Sequence, residues 1–402
     1  MSEMDKFEIS DSNVLKRYKG NDSIVVVPNR VKEIERCVFY NCDLLEEISI
    51  PDGIEIIDET NFIECKNLKF NEADGVRYLG NKNNPYLVLV SAEKNIKEHD
   101  IKEGCKLIKG NAFDLCSELV RISIPSTVRQ IGYMAFYNCY SLSEVKISEG
   151  VEKIYSCAFE NCSIENLQLP NSLKYIGENA FSMVSLKEVS ISNEILYIGC
   201  GAFAYNDIRY NEYKEGCYFG SDKNPYLCFV KPKDKNTSNI DIHSNCKIIY
   251  SNAFSKCKNL KNIKLPDGLV QIGKNAFQEC YELEAINIPS NVTLIDECAF
   301  ASCKRLKSIK IPNQRITIES GAFMECSSIE TLELINAIVS DNVFDGCNGL
   351  KRLVVGEASN LYGYYIFSGC NSLKEAILPK KLENSTIIDE LNEIGNVKIT
   401  YV

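Results

Sequence analysis

The sequence predicts a solenoid of stacked coils that share a parallel β-sheet, and three observations carry that prediction. Phenylalanine recurs at Phe39, Phe62, Phe113, Phe136, Phe159, Phe181, Phe203, Phe254, Phe277, Phe300, Phe323, Phe344 and Phe367. Seven of the twelve intervals are 23 residues, two are 22, one is 21 and two are 51, and a fixed period in this range marks a repeat array. Each unit also holds a stretch such as Glu144-Val145-Lys146-Ile147, whose apolar and polar residues alternate as in a half-buried strand. Proline closes eight of these stretches, at Pro28, Pro51, Pro125, Pro170, Pro266, Pro289, Pro312 and Pro379. It cannot donate to a ladder, so it fits a strand exit. Copies of one strand separated by a full coil run in the same direction, which makes the sheet parallel.

In chain order, residues 1–30 read as an N-terminal hairpin cap, with 14–18 and 24–27 as its strands around Gly20-Asn-Asp. An uncapped coil would expose apolar surface and an unpaired sheet edge. Residues 31–379 form the solenoid. Its two long intervals carry related inserts, at about 70–108 and 210–249. The first reads Gly75-Val-Arg-Tyr78-Leu-Gly80, then Asn84-Pro85-Tyr86-Leu87; the second reads Gly216-Cys-Tyr218-Phe-Gly220, then Asn224-Pro225-Tyr226-Leu227. Each pattern predicts a β-hairpin around a Gly/Asn/Lys turn. Cys105 and Cys246 follow at the offset that also relates Phe62 to Phe203, which points to an internal duplication. Tyr86 and Tyr226 are expected to pack back onto their own coils. Residues 380–402 form the C-terminal cap.

Eleven of the nineteen cysteines stand three residues after a repeat phenylalanine, and Asn206 holds that place after Phe203. A position that accepts cysteine or asparagine behaves as a small buried group that satisfies a turn, so these thiols are expected to be structural and reduced. Cys37/Cys42, Cys157/Cys162 and Cys298/Cys303 have C-x4-C spacing, yet each second cysteine is the repeat cysteine, and the chain has two histidines. A zinc site needs more ligands than this, so no metal or other cofactor is expected.

Units such as Ala299-Phe300-Ala-Ser-Cys303-Lys-Arg-Leu306-Lys-Ser-Ile309-Lys-Ile311-Pro312 resemble the BspA-like leucine-rich-repeat family over roughly residues 24–379. The resemblance implies a leucine-rich-repeat solenoid of the β-rich α/β superhelix class. It implies a curved, right-handed coil with a parallel concave sheet and short turns or helical segments on the convex side. It also implies protein binding or adhesion; the motif residues are structural, so no active site is carried over.

A net charge of −10 and the lack of an arginine-rich run disfavour nucleic acid. The apolar runs are too short to span a bilayer. Residues 1–10 lack an apolar leader-like stretch, so the chain is expected in the cytoplasm, with the cell surface as the alternative if a leader is missing. His99 and His243 do not align between the inserts and have no nucleophile or carboxylate partner at motif spacing, so both read as exposed structural histidines. No phosphate loop, dinucleotide fingerprint or hydrolase motif occurs. The expected function is a non-enzymatic protein-interaction scaffold acting as a monomer, ahead of a surface adhesin and, last, an enzyme or enzyme-regulating subunit. For the contacts, the sequence offers outward residues of the concave strands: Arg121, Glu144, Lys146, Asn166, Gln168 and Glu188. The alternative is a basic patch of Lys258, Lys261, Lys264, Lys304, Arg305, Lys307 and Lys310.

Overall fold

A computed structural model describes residues 6–402; the first five residues of the expected N-terminal cap, 1–5, lie outside the described residues. The chain forms two compact units, residues 1–195 with 201–209, and residues 196–200 with 210–402. Each is a β-solenoid, and the regular coils share three parts.

The first part is the arm around the repeat phenylalanine. Two residues of each regular arm adopt left-handed backbone, such as Asn275 at φ 56° and Glu279 at φ 58° around Phe277. The first of these places is often asparagine, which tolerates that region. The arms ladder onto one another: the Phe277 N–H donates to the Ala299 carbonyl at 2.6 Å. Their rings stack in a column, with Phe113 and Phe136 at 4.8 Å in one unit and Phe277 with Phe254 and Phe300 at 4.9 Å in the other. Each such ring is fully buried, and burial of a phenylalanine side chain stabilises by about 1.5–3 kcal/mol. These arms are turns; no helix interrupts the described coils between residues 33 and 378.

The second part is the expected alternating strand, here called ladder A. Strands Glu98–Asp100, Arg121–Ile124 and Glu144–Ile147 pair in parallel with Arg121 opposite Glu144. The third part, ladder B, was not anticipated as a strand: two aliphatic-rich residues per coil, such as Leu107–Ile108, Gln130–Ile131 and Lys153–Ile154, also pair in parallel. Ladder B is the more continuous sheet. Ladder A is cut into groups of two to four strands. In the two coils of 22 residues it shrinks to one bridge, Gln168 to Ser190. There the turn between the Cys162 or Val184 position and the next aliphatic, Ile164 or Leu186, has lost one residue.

The N-terminal hairpin differs from expectation. Strand Phe7–Ile9 pairs antiparallel with Val14–Tyr18, while Ile24–Val26 pairs in parallel with Glu47–Ser49. The 14–18 and 24–26 segments therefore belong to ladders B and A and do not pair with each other. Their link is pinned by Asp22, which accepts from Tyr18 Oη and from Lys6 Nζ at 2.7 Å. At the other end, helix Thr386–Ile394 covers the last arm, where Glu390 accepts the Phe367 N–H at 3.1 Å. Strand Lys398–Tyr401 closes ladder A against Glu375–Leu378.

Candidate functional site

The ladder A face brings part of the sequence-derived contact set together. Arg121, Glu144 and Lys146 lie on adjacent paired strands, with Lys146 opposite Ser123. Arg121 is not a free cation: its guanidinium reaches Asp100 Oδ1 at 2.7 Å and Glu98 Oε2 at 3.0 Å from the preceding coil. These bonds raise the Arg121 pKa, Asp100 contributing most, and hold the Asp100 carboxyl below the usual range. Glu144 and Lys146 are exposed. Asn166, Gln168 and Glu188 are exposed too, on the coils where ladder A thins to the single bridge. Arg209 approaches Glu188 at 3.8 Å.

The basic coils are less positive than their sequence. Lys256 faces Glu279 at 4.0 Å, Lys274 pairs with Glu297 at 2.6 Å, and Arg305 pairs with Glu282. Lys258 and Lys304 flank the Tyr281 ring, 5.7 and 5.8 Å from its centroid. Lys264 lies opposite Asp241 on paired strands. Lys261, Lys307 and Lys310 are exposed.

Each insert is a three-stranded antiparallel meander rather than a bare hairpin. In the first, Asn71–Ala73, Val76–Leu79 and Val88–Ala92 pair in sequence, and the last strand then enters ladder B against Leu107–Ile108. The second repeats this with Asn211–Tyr213, Gly216–Phe219 and Cys228–Pro232. The paired strands align Gly216 with Val76, so Gly75 and Gly216 are one residue out of register with each other. The shared Asn-Pro-Tyr-Leu motif is a clasp. Asn84 Nδ2 donates to the Gly104 carbonyl at 2.8 Å, and Asn224 Nδ2 to the Asn245 carbonyl at 3.0 Å. Asn71 and Asn211 each hold the proline carbonyl, of Pro85 and Pro225, at 3.0 Å. A Cβ on Gly80 or Gly220 would fall on the Asn84 or Asn224 carbonyl oxygen, which explains both glycines. Tyr86 packs edge-on against Tyr78 at 5.3 Å, and Tyr226 against Tyr218 at 5.5 Å.

The interiors of the two inserts differ. His99 is 3% exposed, so the expectation of an exposed side chain is corrected for this residue. It occupies an inward position of strand Glu98–Asp100, where the second insert has Ile240. Tyr78 Oη lies 2.8 Å from its Nε2, and burial drives the His99 pKa down to about 4. His243 instead packs on Tyr226 at 4.4 Å and Tyr213 at 4.7 Å. In the second unit Phe229, an insert residue, heads the ring column 4.6 Å from Phe254.

The first insert coil lacks a phenylalanine arm, and a cleft of about 720 Å³ lies between the Phe62 arm and the Lys109-Gly110-Asn111 segment. Beside it Asn61 replaces the usual alanine, its Oδ1 accepting the Phe39 N–H at 2.9 Å, and Phe62 lies at φ 70°. Lys109 is buried there, donating to the Glu59 carbonyl at 2.7 Å, and burial lowers its pKa to about 8. Lys106 reaches the Asp52 carbonyl across the same break at 2.8 Å. The two lysines thus bridge carbonyls at the interruption in ladder B. Among the described residues no three His, Cys, Asp or Glu side chains gather as a metal-ligand set.

Exposed aromatic residues were missed in the sequence. Tyr362, Tyr364 and Tyr365 are 64%, 64% and 65% exposed. The available signal is a spacing: five residues stand between the ladder B aliphatic Leu361 and Phe367, against four between Ile131 and Phe136.

No helix among the described residues is long and apolar enough to cross a membrane. No curated protein matches the chain. Among solved structures it is similar to a leucine-rich repeat protein from Bacteroides ovatus, 19% identical, covering 83% of this chain and 97% of that one at a TM-score of 0.28. A leucine rich cell surface protein from Faecalibacterium prausnitzii is 21% identical, with 98% and 96% covered and a TM-score of 0.32. A leucine-rich repeat protein from Eubacterium ventriosum is 22% identical, with 76% and 89% covered and a TM-score of 0.37. The family described as BspA type Leucine rich repeat region (6 copies) matches residues 17–86, 90–221, 228–351 and 306–393. With that repeat covering nearly all of the coils described above, the chain belongs to the BspA type leucine-rich-repeat family.

Proposed function

We propose that this chain is a non-enzymatic protein-interaction scaffold that presents the outward side chains of ladder A to a protein partner. One observation carries the reading: the repeated residues are consumed by the fold. The repeat phenylalanines and nearly all repeat cysteines are buried, and the Asn-Pro-Tyr-Leu motif clasps its own insert. What varies from coil to coil is the polar outer face, and variable surface on a repeated frame is where such arrays bind. A net charge of −10 favours a protein partner over nucleic acid.

A reducing compartment fits the same frame. Thiols such as Cys139, which donates to the Phe113 carbonyl at 3.1 Å, do so as S–H groups, and cytosolic conditions maintain them. The cell surface is the competing location, and fractionation of cells expressing the untagged protein separates the two.

The test is a parallel capture with the wild type and a variant carrying Arg121→Gln, Glu144→Lys, Lys146→Glu and Glu188→Lys. Arg121 is neutralised rather than reversed because a carboxylate there would stand beside Glu98 and Asp100. A protein retained by the wild type and lost by the variant, at equal melting temperature, supports ladder A as the contact surface. Equal retention of every captured protein overturns it.

A further inference from the structure

We propose that the tyrosine platform at residues 362–365 is a second docking surface, built for an arginine-bearing peptide segment of a partner protein. It shares no residue with the ladder A set named above and does not depend on it.

The platform exists because one coil is longer. Ladder B keeps its register through Ile295, Ile318, Val339 and Leu361. After Leu361 comes one residue more than in the coils before it. The excess is taken up as a bulge, in which the Tyr362 and Gly363 N–H groups both approach the Val339 carbonyl, at 3.2 and 3.3 Å. Gly363 is required, since a Cβ would fall on the Ser340 carbonyl. The bulge turns Tyr362, Tyr364 and Tyr365 outward, each about two-thirds exposed.

Tyr365 is the more telling residue. It sits at φ 57°, at the arm position that holds Asn252, Asn275, Cys298, Gly321 and Asn342 in other coils of the same unit. The fold demands left-handed backbone at this place in every regular arm, and a bulky side chain meets that demand at a cost that asparagine or glycine avoids. The enforcement is visible. Asp341 Oδ1 accepts the Tyr364 N–H at 2.7 Å, and Glu390 of the terminal helix accepts the Phe367 N–H at 3.1 Å. Asn360 Nδ2 donates to Tyr362 Oη at 3.3 Å. The backbone that carries the tyrosines, and the Tyr362 hydroxyl, are therefore held before any partner arrives, which reduces the ordering cost of binding.

The surrounding charge identifies the partner. Between Arg315 and Lys351 the sequence has six carboxylates and no lysine, arginine or histidine; of these, Glu330 pairs with Lys351 at 3.1 Å. The ladder register leads Asp296, Glu319 and Ser340 in line toward Tyr362, with Asp341 beside Ser340. Carboxylates attract a cation, and tyrosine faces receive a guanidinium more readily than an ammonium. Tyrosine is also an interface anchor that loses little side-chain entropy.

The probe is a fluorescein-labelled peptide of Arg-Gly-Gly repeats titrated against the full-length protein by anisotropy, with a Lys-Gly-Gly peptide and a neutral β-glucan as comparisons. The triple variant Tyr362→Ser, Tyr364→Ser, Tyr365→Asn keeps the net charge. It is expected to weaken binding of the arginine peptide by about tenfold or more, and the wild type is expected to prefer arginine to lysine. Tyr365→Asn alone is expected to melt at the same temperature as the wild type or higher. Equal binding by wild type and triple variant would reduce the interaction to unspecific acidity and overturn the proposal. So would no binding of the arginine peptide, a preference for the glucan, or a lower melting temperature for Tyr365→Asn, which would make that ring structural.

Discussion

The Cys139 thiol donates to the Phe113 carbonyl oxygen, one coil earlier, at 3.1 Å. Cys280 does the same to Phe254 at 3.2 Å and Cys303 to Phe277 at 3.1 Å. Where cysteine is replaced, Asn206 Nδ2 reaches the Phe181 carbonyl at 2.7 Å. The repeat cysteine is thus a compact hydrogen-bond donor between arms, and burial pushes its thiol up, to about 11 for Cys116 and Cys257.

Thiol titration checks this role. Unfolded without reductant, the protein is expected to show all nineteen cysteines free. Folded, it is expected to react quickly at exposed Cys37 and slowly at the buried repeat thiols. Disulfides recovered between repeat cysteines would contradict the donor role and the reducing compartment together.

Packing gives a sharper contrast. Phe277 is fully buried between Phe254 and Phe300, so Phe277→Ala is expected to cost about 3–5 kcal/mol. Lys264→Ala, at an exposed position on ladder A, is expected to change stability by less than ~0.5 kcal/mol. Urea unfolding of both variants measures the difference; similar losses would reverse inside and outside.

Two glycines separate close approach from mere turn preference. Gly80→Ala drives a methyl into the Asn84 carbonyl, whereas nothing lies within 4 Å of a Cβ on Gly268. The first substitution is expected to destabilise by about 1–3 kcal/mol. The second is expected to be neutral or stabilising by up to about 1 kcal/mol. Thermal unfolding of the pair decides the matter.

His99 predicts a pH dependence. Its pKa falls from 6.5 to about 4 on burial, so the unfolded chain binds the proton more readily than the folded one. Its contribution is present above pH 6.5 and is lost as pH falls toward 4. His99→Ile, which copies Ile240 of the second insert, is expected to flatten that part of the stability profile. An unchanged slope of unfolding free energy against pH would show that His99 is not its source.

Much of the fold was legible because the phenylalanine, cysteine and alternating strand recur at one spacing with one chemistry. Ladder B was hidden because two residues are too few to show a period, and its first residue has no constant chemistry: it is Gln130 in one coil and Lys153 in the next. The N-terminal hairpin was misread because Val14–Tyr18 and Ile24–Val26 are adjacent in sequence yet serve different ladders. Arg121 looked like a free contact because Glu98 lies 23 residues away, where only the coil register brings it close. The tyrosine platform escaped notice because the interval from Phe344 to Phe367 is the usual 23 residues, and the extra residue shows only when counted from ladder B.

The left-handed pair in each regular arm has a stereochemical consequence. Asn275 at φ 56° and Glu279 at φ 58° occupy backbone that is the mirror image of the right-handed region. An L-residue there costs about 1–2 kcal/mol, while its D-enantiomer would be at rest. A semisynthetic chain with D-asparagine at 275 should keep the Phe277 ring in its column and gain stability, whereas a D-residue at 276 should break the arm. An all-L sequence has thus fixed a turn of the opposite chirality at regular intervals along its length, and its mirror-image building blocks would suit those places better than the natural ones.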